Sequence, residues 1–411
     1  MCKNSLKLKM TAIALICSAT TMYGQQSFSN DNLAILVAAA SASNTTASVV
    51  EINKTTADQT AVQTIVIPST GDEAYKTSGS AQTSLYASNS GDGSLLCFSV
   101  HKTTETGNVN AVKDKVVLTI NNAGTLAVGA TYTSSAATAL ARGATTINNT
   151  DFYIADESGQ FTNNATASSP SGNFRAAKPF GGVVYMGSRS SSETVIEIGT
   201  ASALTDGTCT GLPGLTNNNT FQDFYLVSSG ENGTLFDVLY VLRTGGIEKY
   251  SLVEDTWTSN GIYTGQSGFG LAAEKSGDGA NLYLTTGNGA TTNNNVIKLT
   301  DTAGYNVAID ITTANNVTLY TAPTGAILKG IAFAPKNNIT SSFEKTGLGK
   351  TWTLAGNTLS FSVFPKTNIE IYSVTGNKLM EYAPANQIET GLSAGIYILK
   401  VNNAPSKVII K

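Results

Sequence analysis

The sequence predicts an all-β protein, and three observations lead to that prediction. Short apolar runs alternate with period 2, as the two faces of a half-buried strand do. Turn-forming residues separate these runs, and the chain of 411 residues contains 39 glycines. Charged residues make up only 13% of the chain, about half the share of typical soluble domains. No stretch sustains a 3.6-residue period, so we expect few helices.

The charge balance argues against a nucleic-acid-binding protein. The net charge is -3, and the four arginines (Arg142, Arg175, Arg189, Arg243) form no cluster along the sequence. A nucleic-acid interface needs a concentrated basic surface. Cys97 and Cys209 are the two cysteines beyond the N-terminal segment; they are either paired or buried separately, and their spacing does not decide between these.

One repeated pattern predicts how the strands are grouped. It consists of an apolar residue, a tyrosine and another apolar residue, followed by a turn and a second strand. The repeats are spaced by about 30 to 65 residues, around the length of a β-propeller blade. The repeats are Leu85 to Ala87, Phe152 to Ile154, Val184 to Met186, Leu239 to Val241 and Leu282 to Leu284.

A second pattern, rich in glycine and alanine, precedes several of these strands. Propeller blades converge on a central channel, where the innermost strands have the least room, so small residues have a steric reason there. The runs are Ala141 to Ala144, Arg175 to Ala177, Gly270 to Ala273 and Gly330 to Phe333.

The two ends of this region predict how the ring closes. Leu33 to Ala38, Val49 to Asn53 and Thr64 to Ile67 form three strands that lack an inner partner. Leu328 to Ala334 is a single strand that could be their missing inner partner. That pairing would complete the sheet and leave the ring of blades without an open edge. We therefore expect about six blades, with seven as the alternative count. A set of β-sandwiches or a β-helix is the alternative fold.

The last sixty residues predict a second, small β-sandwich. Leu359, Phe361 and Val363 share one face of a strand, and Asn368 to Val374 is a second β-rich run. Further strands are expected at Lys378 to Tyr382, from Gly395 onward, and at the end of the chain. Five or six short strands are enough for a small sandwich.

This segment resembles the C-terminal sorting domain of type IX secretion cargo from Bacteroidetes-type bacteria. The resemblance lies in the run Ile371 to Gly376, the run Leu392 to Tyr397 and the lysines of the final strand. It implies a domain that takes folded cargo across the outer membrane and is often cleaved afterwards. The family's Tyr-Pro-Asn-Pro opening is absent, which leaves the start of the domain open. The motif residues are Gly376, Leu392, Gly395, Tyr397, Lys407 and Lys411.

The N-terminus predicts a secretory signal peptide. Three lysines precede an apolar run from Met10 to Ala19, and small and polar residues follow to Gly24 and Gln25, where we expect cleavage. A lipoprotein signal at Cys17 is the alternative. The expected organisation is a signal peptide at 1–24, a propeller at 25–336, a linker at 337–351 and a sorting domain at 352–411. The mature chain should have no transmembrane span and lie at the outer surface or outside the cell.

No residue pattern predicts a catalytic, cofactor or metal site. His101 is the only histidine, and we interpret it as a solvated hairpin residue. The near-repeats Ser90 to Gly93 and Ser276 to Gly279 are interpreted as turns rather than calcium ligands. Three adjacent carboxylate pairs are interpreted as solvated turn residues: Asp72 with Glu73, Asp156 with Glu157, and Glu254 with Asp255. Three aromatic residues could stack on sugars or pack between blades: Trp257, Tyr263 and Phe269.

These features favour a binding protein over an enzyme. We expect one propeller face to bind an extracellular glycan or protein, because a rigid scaffold with variable loops commonly serves binding. The alternatives are a propeller-type glycosidase or polysaccharide lyase, with acid and base from separate blades, and a structural or adhesive surface component. The type IX secretion machinery is the expected export partner.

Overall fold

The computed structural model describes residues 26–134, 136–189, 198–201, 209–215, 219–337, 352–355, 358–361, 364–374, 376–393, 395–402 and 404–410. The chain divides into two compact units, residues 1–337 and 338–411. Across these described residues the only helical segments are three short 3-10 turns, so no helix there could span a membrane. The prediction of an all-β chain with few helices is confirmed. The turns are Gly71–Glu73, Val109–Ala111 and Thr313–Asn315.

The described strands of the first unit form six antiparallel sheets. The first contains β1 (Asn32–Ala39), β2 (Ala47–Asn53) and β3 (Gln63–Val66); the second β4 (Tyr75–Lys76), β5 (Ser88–Asn89), β6 (Leu95–Lys102), β7 (Asp114–Asn121) and β8 (Leu126–Thr133); the third β9 (Ala141–Thr146), β10 (Phe152–Asp156) and β11 (Gly159–Phe161). The fourth contains β12 (Phe174–Phe180), β13 (Val183–Ser188), β14 (Ile198–Ala201) and β15 (Cys209–Gly211); the fifth β16 (Phe221–Val227), β17 (Val238–Arg243), β18 (Gly246–Val253) and β19 (Thr256–Tyr263); the sixth β20 (Gly268–Ser276), β21 (Gly279–Thr286), β22 (Asn295–Asp301) and β23 (Val317–Thr321).

The last strand of this unit, β24 (Ala326–Phe333), completes the first sheet. It pairs antiparallel with β1 in the register Leu33 with Phe333, Ile35 with Ile331 and Val37 with Leu328. The predicted pairing of the two ends of the chain segment is therefore confirmed. It joins the two ends of the segment in one four-stranded sheet, in which β24 is the edge strand.

One strand from each of the six sheets contacts the next in a cycle, in the order β24, β5, β9, β12, β16, β20 and back to β24. In five of these sheets that strand is an edge strand, and in the second sheet β5 pairs with β6. The six innermost segments therefore surround one axis. The small residues on them lie where neighbouring backbones approach closely: a Cβ atom on Gly330 would lie 2.4 Å from the Ala87 nitrogen, and one on Gly270 would lie 2.9 Å from the Lys329 oxygen. The steric explanation of the glycine- and alanine-rich runs is confirmed.

The tyrosine pattern occupies two different places. Four of its five copies lie in second strands, namely β10, β13, β17 and β21. The copy at Leu85 to Ala87 lies instead in the innermost segment before β5, where the Tyr86 N–H donates to the Arg142 oxygen at 3.0 Å. This difference explains the uneven spacing of the pattern in the sequence, because one copy is not equivalent to the others.

The innermost strands share a backbone irregularity. Each of β9, β12, β16, β20 and β24 has a shift in pairing register, which lies near the beginning of the first four strands and in the middle of β24. A bulge of this kind leaves an extra residue outside the ladder and redirects its side chain. The side chains at these five positions are buried. They belong to Arg142, Arg175, Gln222, Phe269 and Lys329.

Buried ion pairs connect neighbouring sheets. Lys115 on β7 contacts Asp156 at the end of β10 at 2.6 Å, and the Tyr132 hydroxyl donates to the same carboxylate at 3.1 Å. Lys249 on β18 contacts Asp301 on β22 at 2.9 Å, and Tyr240 donates to that carboxylate at 2.7 Å. Burial of a charge is unfavourable unless it is paired and hydrogen-bonded. These two clusters therefore fix adjacent sheets in one relative position.

Lys329 is a buried lysine that has only neutral partners. Its Nζ donates to the Ala81 oxygen at 2.6 Å, to Ser84 Oγ at 3.0 Å and to the Gly289 oxygen at 2.8 Å. Burial lowers the pKa of Lys329 to about 7. The three acceptors belong to the second and sixth sheets, so Lys329 joins both neighbours of the closing strand.

The second unit contains two sheets. One contains β25 (Trp352–Ala355), β26 (Thr358–Phe361) and β29 (Gln387–Glu389); the other contains β27 (Ile369–Ser373), β28 (Lys378–Tyr382), β30 (Gly395–Val401) and β31 (Ala404–Ile410). Leu359 and Phe361 from the first sheet pack in one buried cluster with Ile371 and Leu399 from the second. The predicted segment thus folds with its apolar faces turned inward. Val363 lies outside the described residues.

Several predictions fall on residues outside the described part of the chain. They are the signal peptide with its cleavage position at Gly24 and Gln25, most of the expected linker, and Lys411. These remain predictions.

Removing the charge of Asp156 tests the ion pairs between sheets. We expect Asp156→Asn to lower the free energy of unfolding by about 3–5 kcal/mol, because it leaves Lys115 buried without a counter-charge. Urea denaturation of the purified chain measures this change. Asp31→Asn is the control, because Asp31 lies 3.7 Å from Lys54 and is 85% exposed; it should cost less than about 1 kcal/mol. Equal losses in both variants would contradict the role assigned to burial.

The pH dependence of stability tests Lys329. Its pKa of about 7 in the folded chain lies below the value of about 10.4 in the unfolded chain. Between these values the unfolded chain binds more protons, so this group makes the free energy of unfolding rise with pH; below about 7 its unfavourable effect is constant. We expect the free energy of unfolding of Lys329→Met to rise less between pH 7 and pH 9.5 than that of the wild type, measured by denaturation at both pH values. Parallel pH profiles would show that Lys329 keeps its ordinary pKa.

Candidate functional site

An open cavity of about 360 Å³ lies at one end of the axis. Its lining comes from the far ends of the innermost strands β12, β16, β20 and β24, together with residues in and after β5. The bulged positions lie near the other end of these strands. The cavity therefore depends on five separate sheets, and no single stretch of sequence contains it.

Aromatic side chains form a large part of the cavity wall. Phe180 packs edge-on against Tyr225 with ring centroids 4.9 Å apart, and Tyr225 packs edge-on against Phe333 at 6.1 Å. Phe236 lies beside Phe180 at 5.4 Å. Such edge-to-face pairs hold the rings in fixed orientations. The wall is thus a rigid apolar surface assembled from the first, fourth and fifth sheets.

The Tyr225 hydroxyl supplies a polar group on this wall. Burial, followed by the charges of Glu274 and Asp223, raises its pKa well above the ordinary value. Within the described residues no hydrogen bond satisfies this hydroxyl. It therefore remains a neutral phenol that can donate to, or accept from, a ligand.

The carboxylates of the lining are already engaged by protein groups. Glu274 accepts from the Tyr283 hydroxyl at 2.7 Å and from Lys54 Nζ at 2.9 Å. Burial acts to raise the pKa of Asp92, but hydrogen bonds from Ser90, Ser94 and Asn149 outweigh burial and lower it to about 2. Asp92 is consequently ionised throughout the physiological range, and Glu274 is oriented by two donors.

A buried ion pair lies at the cavity wall, because Lys178 is one of the lining residues. Lys178 Nζ contacts Asp223 Oδ2 at 2.8 Å and donates to the Leu271 oxygen at 2.6 Å. The Leu271 N–H donates to the same carboxylate at 2.8 Å. Burial lowers the pKa of Lys178 and raises that of Asp223, and their mutual attraction opposes both shifts. This pair links β12, β16 and β20 at the cavity wall.

The interpretation of His101 as a solvated residue is wrong. Its side chain is only 1% exposed. Its Nε2 accepts from the Ala141 N–H at 3.1 Å, so Nδ1 carries the proton that is donated to the Val112 oxygen at 3.1 Å. Burial, followed by the charge of Lys115, lowers its pKa to about 4. His101 is a neutral link between β6 and β9.

The adjacent carboxylates divide into two groups. Asp72, Glu73, Glu254 and Asp255 are exposed in turns, as predicted. For Asp156 the prediction is wrong, because Asp156 is buried against Lys115. Glu157 is exposed in a turn, as predicted, although it lies 3.3 Å from Arg142. A sequence cannot reveal this, because the lysine and arginine come from other strands.

The two glycine–aspartate repeats lie in turns. Ser90 to Gly93 joins β5 to β6, and Asp92 accepts hydrogen bonds from the serines beside it. Ser276 to Gly279 joins β20 to β21. Hydrogen bonding within the turn accounts for the Asp92 repeat.

Cys97 and Cys209 are separate free thiols. Burial raises the pKa of both, that of Cys209 to about 12. Of the two arrangements that the sequence left open, the unpaired one is observed, with Cys97 buried and Cys209 half-buried.

The aromatic residues suggested by the sequence do not form the cavity wall. Trp257 and Phe269 are buried, and neither they nor Tyr263 line the cavity. The residues that do line it are Phe180, Tyr225, Phe236 and Phe333. Phe180, Tyr225 and Phe333 could have been found in the sequence by their position toward the ends of innermost strands. Phe236 gives no such signal, because it lies in the segment before β17.

The sorting-motif residues lie in the second unit. Gly376 adopts a positive φ of 86° between β27 and β28, where a glycine is favoured. Leu392 is half-buried and packs on the core, while Gly395 begins β30. The Tyr397 hydroxyl donates to the Ser393 oxygen at 3.0 Å. Lys407 lies in β31, and its side chain is not among those described.

No protein-family model and no curated protein matches the chain. Among solved structures it is similar to the extracellular domain of a candidate one-component system from B. thetaiotaomicron, with 12% identity, a TM-score of 0.35, and coverage of 94% of this chain and 60% of that one. A candidate 6-phosphogluconolactonase from Bacteroides fragilis matches with 10% identity, a TM-score of 0.34 and coverage of 92% and 98%. AztD from Citrobacter koseri matches with 10% identity, a TM-score of 0.29 and coverage of 87% and 97%. The chain spans about 60% of the first of these proteins, and likenesses this distant assign neither a fold nor a function.

Proposed function

We propose that the first unit is a six-bladed β-propeller that binds the end of an extracellular glycan in its axial cavity. The observation that carries this proposal is the aromatic wall of Phe180, Tyr225 and Phe333 beside hydrogen-bonding groups, all at the mouth of a closed ring of sheets. Six sheets around one axis, with the first sheet completed by β24, support the propeller.

The dimensions of the cavity favour a glycan over a protein ligand. A volume of about 360 Å³ lies at the small end of the range of roughly 300–1,000 Å³ for small-molecule sites. A stable protein interface needs about 800 Å² on each partner. Apolar ring faces can pack against the C–H faces of a sugar, while the Tyr225 hydroxyl and Glu274 can pair with its hydroxyls.

The same groups favour binding over hydrolysis. A glycosidase needs a protonated carboxylic acid and a second carboxylate that face each other across the sugar. Asp92 has a lowered pKa of about 2 and is therefore a poor acid. Glu274 is held by Tyr283 and Lys54. Those are the carboxylates of the lining, so the cavity suits recognition without bond cleavage.

Export is the second part of the proposal. The chain is a type IX secretion cargo whose signal peptide directs it to the periplasm and whose second unit directs it across the outer membrane. The motif residues Gly376, Leu392, Gly395 and Tyr397 support this assignment by their resemblance to sorting domains. The protein then acts at the cell surface or after release.

A glycan array followed by calorimetry tests the binding site. We expect the chain from Gln25 to Lys411 to bind one class of saccharide. Tyr225→Phe should weaken that binding about fivefold, because one hydrogen bond is worth about 1 kcal/mol. The control is Tyr320→Phe, on the outer strand β23, which should leave the affinity unchanged. If neither Tyr225→Phe nor Phe333→Ala changed the affinity, the glycan would bind elsewhere on the protein. If no saccharide on the array bound, a structural or adhesive role would be favoured.

Deletion of residues 391–411 tests the export assignment. We expect the truncated protein to accumulate in the periplasm, measured by cell fractionation and by surface protease accessibility. Because deletion removes β30 and β31, a second arm fuses residues 338–411 to an unrelated periplasmic protein, which should then reach the surface. Surface exposure of the truncated chain, together with a fusion that stays in the periplasm, would refute the sorting role.

A further inference from the structure

The strand β3 forms an edge of the first sheet whose outer backbone is not covered. It lies at the side of the sheet opposite β24, the strand that belongs to the cycle of inner strands. Within the described part of the chain, β2 is its one pairing partner, and no backbone hydrogen bond from another segment reaches its outer side. Unpaired N–H and C=O groups at such an edge are a template for another strand.

The outer strands of four other sheets differ, because further segments of the chain cover them. The Asp58 N–H donates to the Thr318 oxygen of β23 at 3.0 Å. The Asn164 N–H donates to the Thr131 oxygen of β8 at 2.7 Å. The strands β11 and β19 are covered in the same way, by Ser169 and Pro213. An uncovered backbone is therefore a property of β3 and not of outer strands in general.

The sequence of this edge lacks the residues that usually protect one. Residues 62–67 include no charged residue, proline or glycine, although charges and proline are the common protection of edge strands. Val62 is 51% exposed, Val66 is 68% exposed, and Thr64 between them is also exposed. Ile65, which points to the opposite face, is buried. The edge therefore carries a solvent-exposed and largely apolar row of side chains.

The hydrogen bonds to β2 show which backbone groups of this edge point outward. The Ile67 N–H donates to the Ala47 oxygen at 3.0 Å, and the register continues through β3 without a shift. Hydrogen-bonded and non-hydrogen-bonded positions alternate along an antiparallel pair. Ile65 therefore directs its N–H and C=O groups towards β2. Thr64 and Val66 direct theirs away from the sheet.

The pattern of this edge is complementary to itself. When a second copy runs antiparallel with Thr64 opposite Thr64, Val62 of each copy lies opposite Val66 of the other. The outward N–H and C=O groups of Thr64 then face the same groups of the other copy. Apolar side chains meet apolar side chains across the pair, and no like charges are brought together. This symmetry favours a second copy of the same chain over an unrelated strand.

We propose that two copies of the chain associate through β3, in an antiparallel pair whose two-fold axis passes beside Thr64. The pairing uses the same edge of both copies, so it closes after two copies and does not continue as a filament. Because β3 is only four residues long, few hydrogen bonds form, and the dimer should dissociate on dilution. The proposal does not rest on glycan binding, since β3 and the cavity lining share no residue.

Sedimentation equilibrium of the chain from Gln25 to Lys411 tests the association. We expect the wild type to change from monomer to dimer as its concentration rises to about 1 mM, and to form nothing larger. Thr64→Lys should raise the dissociation constant about fivefold or more, because it places two positive charges directly opposite each other. Val128→Lys is the matched control, since Val128 is 45% exposed on β8, whose outer side is covered. It should dimerise as the wild type does.

A mixture of charge variants tests the register. Thr64→Glu should also weaken association with itself, whereas an equimolar mixture of Thr64→Lys and Thr64→Glu should dimerise at least as tightly as the wild type, because opposite charges then face each other. Position 64 is exposed, so both variants should keep the urea midpoint of the wild type.

Four results would overturn the proposal. The wild type could stay monomeric up to about 1 mM, which would leave the edge of β3 to an extended segment of another protein. It could grow beyond the dimer. Thr64→Lys could dimerise as tightly as the wild type, which would place the contact elsewhere. The mixture of the two charge variants could fail to regain the affinity, which would show that Thr64 does not lie opposite itself.

Discussion

The pairing of β1 with β24 is the constraint on which the rest of the first unit depends. It joins residues about three hundred positions apart, such as Leu33 and Phe333. Each sheet contacts mainly its neighbours, so without this pairing the first and sixth sheets would each lose a covered face, and two strand edges would be open. The same strand carries Phe333 to the cavity and Lys329 to the interior. The pairing that joins the two ends of the unit therefore also brings Phe333 to the cavity wall.

The interior of this sparsely charged chain is unusually polar. Lys115, Lys178 and Lys249 are each buried against an aspartate from a neighbouring sheet. Such pairs contribute less than apolar packing to stability, but each is satisfied in one arrangement only. The ion pairs thus connect the second sheet to the third, the fourth to the fifth and the fifth to the sixth.

The two ends of the axis have different chemistry for a structural reason. At the open end the inner strands finish in regular pairing, and Phe180, Tyr225 and Phe333 face the cavity. At the other end a bulge in five strands redirects Arg142, Arg175 and Lys329 into the protein. Regular strands thus build a rigid wall for a ligand, whereas irregular ones gather cations.

Residue periodicity and turn chemistry alone determined the all-β class, part of the strands of both units and the partner of β1, because local alternation and unpaired edges can be read along the chain. The tertiary structure decided which residues meet at the axis. Tyr225, Glu274 and Phe333 are unremarkable in the sequence, and His101 and Asp156 looked solvated although they are buried. Four arginines that form no cluster in the sequence include two that converge beside Tyr86. The alternation of apolar and polar residues shows which face of a strand points inward. It carries no information about which distant strand lies opposite that face, and the cavity is formed where such distant strands meet.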